Sequence, residues 1–189
     1  MFPLTGCLRY DQTSPQGFAF NPVRYRRTYI TGGTYFFTVV TARRKPIFAS
    51  TDVVDILRRA FRHVRANHPF QIDAICILPD HLHCLWTLPD NDSDHSTRWR
   101  LIKTRFTRAC GENVARPVWQ KRYWEHLIRD EDDFRRHVDY IHYNPVKHGL
   151  ADRPIDWTYS SFDKWIERGH YPPDWGTDPV DFDDAVGSE

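Results

Sequence analysis

The sequence predicts an α+β protein whose antiparallel sheet carries helices on one face. Three observations predict it: short apolar stretches with a period of two, longer amphipathic stretches with helical period, and the alternation of the two along the chain. The predicted elements are, in order, a strand at 34–41, a helix at 52–67, strands at 70–78 and 81–88, a helix at 96–110, a strand near 122–129 and a helix at 131–144. This β-α-β-β-α-β-α order is typical of a ferredoxin-like sheet.

Composition indicates one domain with extensions. The 189 residues are 40% hydrophobic and 15% aromatic, which is enough to build a core. No apolar run approaches the roughly 20 residues of a membrane-spanning helix, and no signal peptide is evident. The four cysteines have no CxxC spacing, which fits a reduced setting. We therefore expect a cytoplasmic protein without a membrane partner.

A pair of histidines stands in the second strand of a predicted hairpin. Pro79-Asp80 separates the two strands of this hairpin. Because strand side chains alternate, His81 and His83 share a face and Leu82 points into the core. Two imidazoles on one rigid strand can chelate a divalent ion. Such a short motif also occurs as exposed polar positions on a half-buried strand, and the pair alone leaves both interpretations open.

The predicted helix at 131–144 has a clear start and end. Asp130 can cap its first turn. Phe134, Val138 and Ile141 follow helical spacing and predict the buried stripe. Pro145 disfavours helical geometry at the residue before it, so the helix is expected to end at position 144.

A tyrosine and an asparagine stand on this helix one turn apart. Tyr140 lies about 160° from Val138 around the helix axis, so it is predicted on the polar face, next to Asn144. A phenol is a poor nucleophile at neutral pH because its ordinary pKa is about 10. A metal ion that polarises a scissile DNA phosphate would lower that barrier. A tyrosine on a polar helix face also occurs as a plain surface residue, and that alternative stays open here. As a nucleophile, Tyr140 would attack the phosphate and give a 5′-phosphotyrosine link and a free 3′-OH.

The metal set predicted for this reaction has three protein ligands. The amide oxygen of Asn144 could join the imidazoles of His81 and His83. One oxygen and two nitrogens, with open positions for phosphate oxygens, suit Mg²⁺ or Mn²⁺.

Charge is distributed unevenly along the chain. Residues 1–129 carry 20 Lys and Arg against 10 Asp and Glu, whereas residues 130–189 carry 6 against 15. The basic part fits contact with phosphates, and arginines among aromatic residues suit single-stranded DNA. For any one of these residues, a solvated surface position is the alternative. The candidate DNA-binding residues are Arg26, Arg27, Arg43, Arg44, Arg98, Trp99, Arg100, Lys103 and Arg105.

Five segments, in order, resemble those of one family. They are YRRTYITGGTYFFTV at 25–39, LPDHLHCLWTLP at 78–89, RWR at 98–100, YWEH at 123–126 and YIHYNPVKHG at 140–149. In these segments the chain resembles the REP-associated tyrosine transposases. This family is a branch of the single-tyrosine HUH nucleases and is related to single-strand insertion-sequence transposases.

The resemblance implies a fold, a site and a substrate. The fold is the HUH endonuclease fold, with the histidine pair on a central strand and the tyrosine on a helix nearby. His81 and His83 would be metal ligands, Tyr140 the nucleophile, and Asn144 would stand where relatives carry a third polar ligand. The substrate would be single-stranded repetitive extragenic palindromes folded into hairpins, which places the protein at the bacterial nucleoid. Relatives work as dimers or as monomers, so both states remain open.

Three functions remain open from the sequence. The first is a site-specific nuclease and strand transferase acting through Tyr140. The second is a catalytically silent repeat-binding protein with an architectural or regulatory role. The third is a small metallohydrolase that uses the histidine pair and an activated water.

Domain organisation is predicted in four parts. Residues 1–23 are expected to form a flexible extension, and 24–150 the nuclease domain. Residues 151–176 are rich in aromatic side chains and are expected to pack on that domain. Residues 177–189 form an acidic tail, which we expect either to compete with DNA for the basic surface or to serve solubility alone.

Overall fold

A computed structural model describes residues 29–182. The predicted extension at 1–23, Arg26, Arg27 and the last residues of the acidic tail lie outside this range. Within it, the strands are β1 (Thr34–Val40), β2 (Gln71–Ile77), β3 (His81–Thr87) and β4 (Trp124–Leu127). The α-helices are α1 (Thr51–Asn67), α2 (His95–Cys110), α3 (Glu131–Lys147) and α4 (Phe162–Glu167).

The four strands form one antiparallel sheet in the order β2-β3-β1-β4. This order confirms the predicted ferredoxin-like class. The two central strands, β1 and β3, are buried over nearly their whole length. The register places His83 opposite Thr38, and Thr38 is also opposite Trp124 of β4.

Helices cover both faces of the sheet. Phe37 of β1 and Trp86 of β3 belong to the core that α1 and α2 complete. Phe36 of β1 belongs to a second core, which it shares with Val138 and Ile141 of α3. The prediction that the helices lie on one face is therefore wrong. Since β1 is apolar on both faces, each face needs a helical layer to exclude water.

Helix α3 begins as predicted and ends later. The Asp130 carboxylate accepts a hydrogen bond from the Asp133 N–H at 2.8 Å, which caps the helix. The helix continues through Pro145 to Lys147, so the predicted end at residue 144 is wrong. A proline near the end of a helix removes only one backbone hydrogen bond, and the His148 N–H still donates to the carbonyl of Asn144 at 3.0 Å.

The aromatic-rich segment lies along the outer edge of β2. The Ile77 N–H donates to the Tyr159 carbonyl, and the Ser161 N–H donates to the Ile75 carbonyl, both at 2.8 Å. The Trp165 indole N–H donates to a further β2 carbonyl at 3.0 Å. The segment thereby pairs backbone groups that an exposed edge strand would leave open.

Candidate active site

The histidine pair lies at the start of β3, on the sheet face that α3 covers. His81 is 2% exposed and His83 is fully buried. Their ring centroids lie 4.9 Å apart. The alternation of β3 places both rings on one face, as predicted, and puts Leu82 in the opposite core.

Each ring is held by a hydrogen bond at Nδ1. Thr38 Oγ1 lies 2.9 Å from His83 Nδ1, and Asp80 Oδ1 lies 2.6 Å from His81 Nδ1. Partners of this kind fix the orientation of metal-binding histidines and select the tautomer. The nitrogen of each ring that can bind a metal ion is therefore Nε2.

The carboxylate of Asp80 is itself supported. Arg44 donates to Asp80 Oδ2 at 3.1 Å. Burial raises the pKa of Asp80, but hydrogen bonds and charge from His81 and Arg44 outweigh it and hold that pKa below the ordinary value. Asp80 is therefore ionised at neutral pH. The turn that presents Arg44 to Asp80 has positive φ angles at Arg43 (58°) and Arg44 (51°).

Tyr140 is buried against the histidines instead of standing on a polar face. It is 1% exposed, and its ring centroid lies 5.2 Å from that of His83 and 6.0 Å from that of Phe36. The predicted exposure is wrong because neighbouring parts of the protein cover more of the circumference of α3 than its apolar stripe alone. His137, Tyr140 and Asn144 are buried on this helix although they lie outside its apolar stripe.

Two side chains contact the ring of Tyr140 from its outer side. Lys147 Nζ donates to the phenolic oxygen at 3.1 Å and lies 4.6 Å from the ring centroid. Phe182 meets the ring edge-on at a centroid distance of 5.6 Å. The ammonium group stabilises negative charge on the phenolic oxygen, and Phe182 shields the ring from solvent.

Asn144 is fully buried one turn after Tyr140. Its amide nitrogen donates to the Tyr140 carbonyl at 3.5 Å, while Oδ1 accepts no hydrogen bond from the described residues. A buried amide oxygen without a donor costs about 1–3 kcal/mol. A cation would satisfy this oxygen, so the residue fits the predicted third ligand.

The predicted DNA-binding residues divide into exposed and buried ones. Arg43 and Arg44 are exposed after β1, and Arg44 bonds to Asp80, the partner of His81. Arg100 and Arg105 are exposed on α2, and Lys103 is half-buried there. Since α2 covers the other face of the sheet, these three residues lie on the solvent-facing surface around α2, apart from the histidines.

Arg98 and Trp99 do not lie on that surface. Arg98 is 2% exposed and donates to Asp92 Oδ2 and to the Pro69 carbonyl, both at 2.7 Å. Trp99 is fully buried and stacks on Trp86. The prediction that these two residues contact DNA is wrong, because basic and aromatic composition does not reveal which way a helical side chain points.

A second polar cluster joins β4 to the first turns of α3. His126 Nε2 lies 2.8 Å from Asp133 Oδ2, and His137 Nδ1 lies 3.1 Å from Asp133 Oδ1. Burial raises the pKa of Asp133, but hydrogen bonds from His126 and the Arg129 N–H lower it overall. Burial lowers the pKa of His137. The sequence signal was Asp133 and His137 four residues apart, a spacing that places both on one helix face.

Comparisons with known proteins match most of the chain. The family described as "Transposase IS200 like" matches residues 29–144. The REP-associated tyrosine transposase of Escherichia coli K12 is 49% identical over 158 residues, which cover 84% of this chain and 93% of the relative. The chain belongs to the REP-associated tyrosine transposases, within the IS200-like family.

Other members of the family extend the comparison. A Haemophilus influenzae protein with a provisional name of the same kind is 43% identical over 166 residues, covering 82% of this chain and 94% of the relative. A solved REP-associated tyrosine transposase bound to a REP hairpin is 48% identical, covers 88% of this chain and 97% of that chain, and superimposes with a TM-score of 0.78. Transposases of this HUH type are metal-dependent enzymes. In the part of the chain that the structure describes, no helix is long and apolar enough to cross a membrane.

Proposed function

We propose that this REP-associated tyrosine transposase cleaves and rejoins single-stranded DNA at repetitive extragenic palindrome hairpins through Tyr140. The observation that carries the proposal is the contact between the Tyr140 and His83 rings, with centroids 5.2 Å apart. The solved relative bound to a REP hairpin supports the substrate, because it shares 48% of its sequence with this chain.

The nucleophile is the phenolic oxygen of Tyr140. It attacks the scissile phosphorus, so an O–P bond to tyrosine forms and the bond from phosphorus to the 3′ oxygen breaks. The phenol loses its proton, and the 3′ oxygen leaves with a proton as a free hydroxyl. Lys147, at 3.1 Å from the phenolic oxygen, stabilises negative charge on that oxygen in both directions of the reaction.

His81, His83 and Asn144 are the residues that would hold the divalent ion. The buried Asn144 Oδ1 without a hydrogen-bond donor and the two oriented imidazoles support this set. Mg²⁺ or Mn²⁺ bound there would polarise the scissile phosphate. Asp80 and Thr38 keep the two rings in the ligating orientation.

DNA approaches the site where Arg43 and Arg44 are exposed. Both residues lie in the turn that follows β1, and Arg44 is linked through Asp80 to His81. Arg43 and Arg44 would bind the phosphates beside the cleavage point. Arg100, Lys103 and Arg105 on α2 would contact the hairpin. Because the substrate is chromosomal DNA, the protein acts in the cytoplasm at the nucleoid, as a monomer or a homodimer.

A cleavage assay tests the proposal. A single-stranded REP hairpin from the flanks of the gene is incubated with Mg²⁺ or Mn²⁺ and either the wild type or Tyr140→Phe. We expect a covalent protein–DNA adduct that disappears in the variant, whereas Tyr143→Phe, one turn beyond, retains it. Hairpin binding without any adduct would favour a silent binding protein, and cleavage that survives Tyr140→Phe would favour a water-using metallohydrolase.

A further inference from the structure

We propose that His126, Asp133 and His137 form a second divalent metal site that anchors α3 to β4. One ligand atom from each side chain lies within 4.8 Å of the other two. The site shares no ligand with the predicted set of His81, His83 and Asn144. Metal binding at this second site would not depend on the proposed cleavage reaction.

The three side chains come from two elements that meet at the start of α3. His126 extends from β4 and is 18% exposed, while the Asp133 and His137 side chains are 8% and 2% exposed. The two imidazole rings stack with centroids 4.7 Å apart and an interplanar angle of 15°. The cluster is thus mostly buried, and it opens to solvent beside His126, where an ion can enter.

The tautomer of His137 leaves a buried lone pair. Its Nδ1 lies 2.8 Å from the Asp133 carbonyl oxygen. A carbonyl can only accept, so Nδ1 carries the proton and Nε2 carries the lone pair. Nε2 is buried and has no hydrogen-bond partner among the described residues. A metal ion would satisfy it, and Nδ1–H bonded to a carbonyl is the usual outer contact of a metal-binding histidine.

Ligand chemistry selects the class of ion. Two imidazoles and one carboxylate, away from the DNA phosphate oxygens that would complete the shell of the first site, suit Zn²⁺, Mn²⁺, Fe²⁺ or Co²⁺, whereas Mg²⁺ needs more oxygen ligands. Arg136 lies 3.6 Å from Asp133 Oδ1 and opposes a cation, but its side chain is 50% exposed and can turn to solvent. The proposed site is therefore a transition-metal site.

An ion here would position the catalytic helix. Asp133 and His137 lie in the first two turns of α3, and Tyr140 follows one turn later. Phe36 contacts the His137 ring at a centroid distance of 4.8 Å and the Tyr140 ring at 6.0 Å. Fixing the start of α3 to β4 fixes the tyrosine against the sheet.

Metal titration of the full chain tests the site. His81→Ala/His83→Ala removes the first site and leaves the second. This double variant is stripped with a chelator and titrated with Co²⁺, followed by visible absorption, and with Zn²⁺ and Mg²⁺ by calorimetry. His126→Gln and, separately, His63→Gln are then added, the latter as an exposed control on α1.

We expect the double variant to bind one equivalent of Co²⁺ or Zn²⁺ and no Mg²⁺. Adding His126→Gln should weaken binding at least about tenfold and remove the rise in melting temperature caused by Zn²⁺, while His63→Gln changes neither. Asp133→Asn replaces His126→Gln if that variant does not fold. Absence of binding in the double variant, or binding that His126→Gln and Asp133→Asn leave intact, would overturn the proposal.

Discussion

Replacing Asp80 by Asn should weaken metal activation of DNA cleavage without disturbing the fold. The carboxylate accepts from His81 Nδ1 at 2.6 Å and from Arg44 at 3.1 Å. Asn keeps the shape and one acceptor oxygen but removes the charge. The His81 imidazole therefore keeps its orientation and loses the anion that raises its basicity as a ligand.

The magnitude follows from this contact. A hydrogen bond to a charged group contributes about 1.5–3 kcal/mol, and part of it survives because the Asn oxygen still accepts. A loss of about 1.4–2 kcal/mol corresponds to a metal concentration for half-maximal cleavage that rises about 10- to 30-fold. Arg44 adds less, because its side chain is 44% exposed and solvent screens the pair.

The assay is the Mn²⁺ dependence of adduct formation on a REP hairpin at neutral pH. Asp55→Asn is the matched control, since this half-exposed carboxylate pairs with Arg58 on α1, away from the histidines. We expect a large shift for Asp80→Asn and none for the control. Half-maximal Mn²⁺ within twofold of the wild type would refute the reasoning that Asp80 tunes His81.

The same substitution should alter acid sensitivity. The folded pKa of Asp80 lies below the value of an unfolded aspartate. Its contribution to stability is therefore present above about pH 4 and is lost as the pH falls through the folded pKa. Melting curves should show a smaller loss of stability on acidification for Asp80→Asn than for the wild type. Equal losses would contradict this linkage.

Three further outcomes are expected. Arg98→Ala should lower the free energy of unfolding by about 1–3 kcal/mol in denaturant titration, because it removes the hydrogen bonds of a buried guanidinium to the partly exposed Asp92 and to the Pro69 carbonyl. Arg100→Ala should instead weaken hairpin binding and reduce its salt dependence, with little change in stability. Lys147→Met should slow adduct formation about 10- to 100-fold, since the cation beside Tyr140 is lost; an unchanged rate would exclude that role. Truncation after Gly176 removes Phe182 from Tyr140 and acidic residues from the chain, and it should raise cleavage or DNA affinity at low salt.

Local patterns in the sequence predicted most elements. The alternation that placed His81 and His83 on one face depends only on strand geometry, and the Asp130 cap depends only on the next three residues. Both predictions hold in the structure. The predicted end of α3 is wrong because burial of Pro145 and the hydrogen bond from His148 to Asn144 outweigh the local preference of a proline.

Side-chain direction was predicted less well. Arg98 and Trp99 lie in a basic, aromatic stretch, but both side chains point inward from α2. Arg98 donates to Asp92, and Trp99 stacks on Trp86. Tyr140 lies outside the apolar stripe of α3 and is nevertheless buried, because Phe36, His83 and Phe182 pack against its ring. Such burial depends on which element packs where, and periodicity within one helix does not contain that information.

Short-range geometry and ordered motifs in the sequence were enough to predict the class of fold, the family and the residues proposed for the site. The tertiary structure decided how these groups meet. It packs Tyr140 of α3 against His83 of β3 and places Lys147 beside the phenolic oxygen. It also brings His126 of β4 next to Asp133 and His137 of α3. The contact between Tyr140 and His83 joins residues far apart in the chain, and it forms because α3 packs on the sheet. The contacts of Lys147 and His126 are closer in sequence, but they too depend on how the side chains of α3 and β4 are directed.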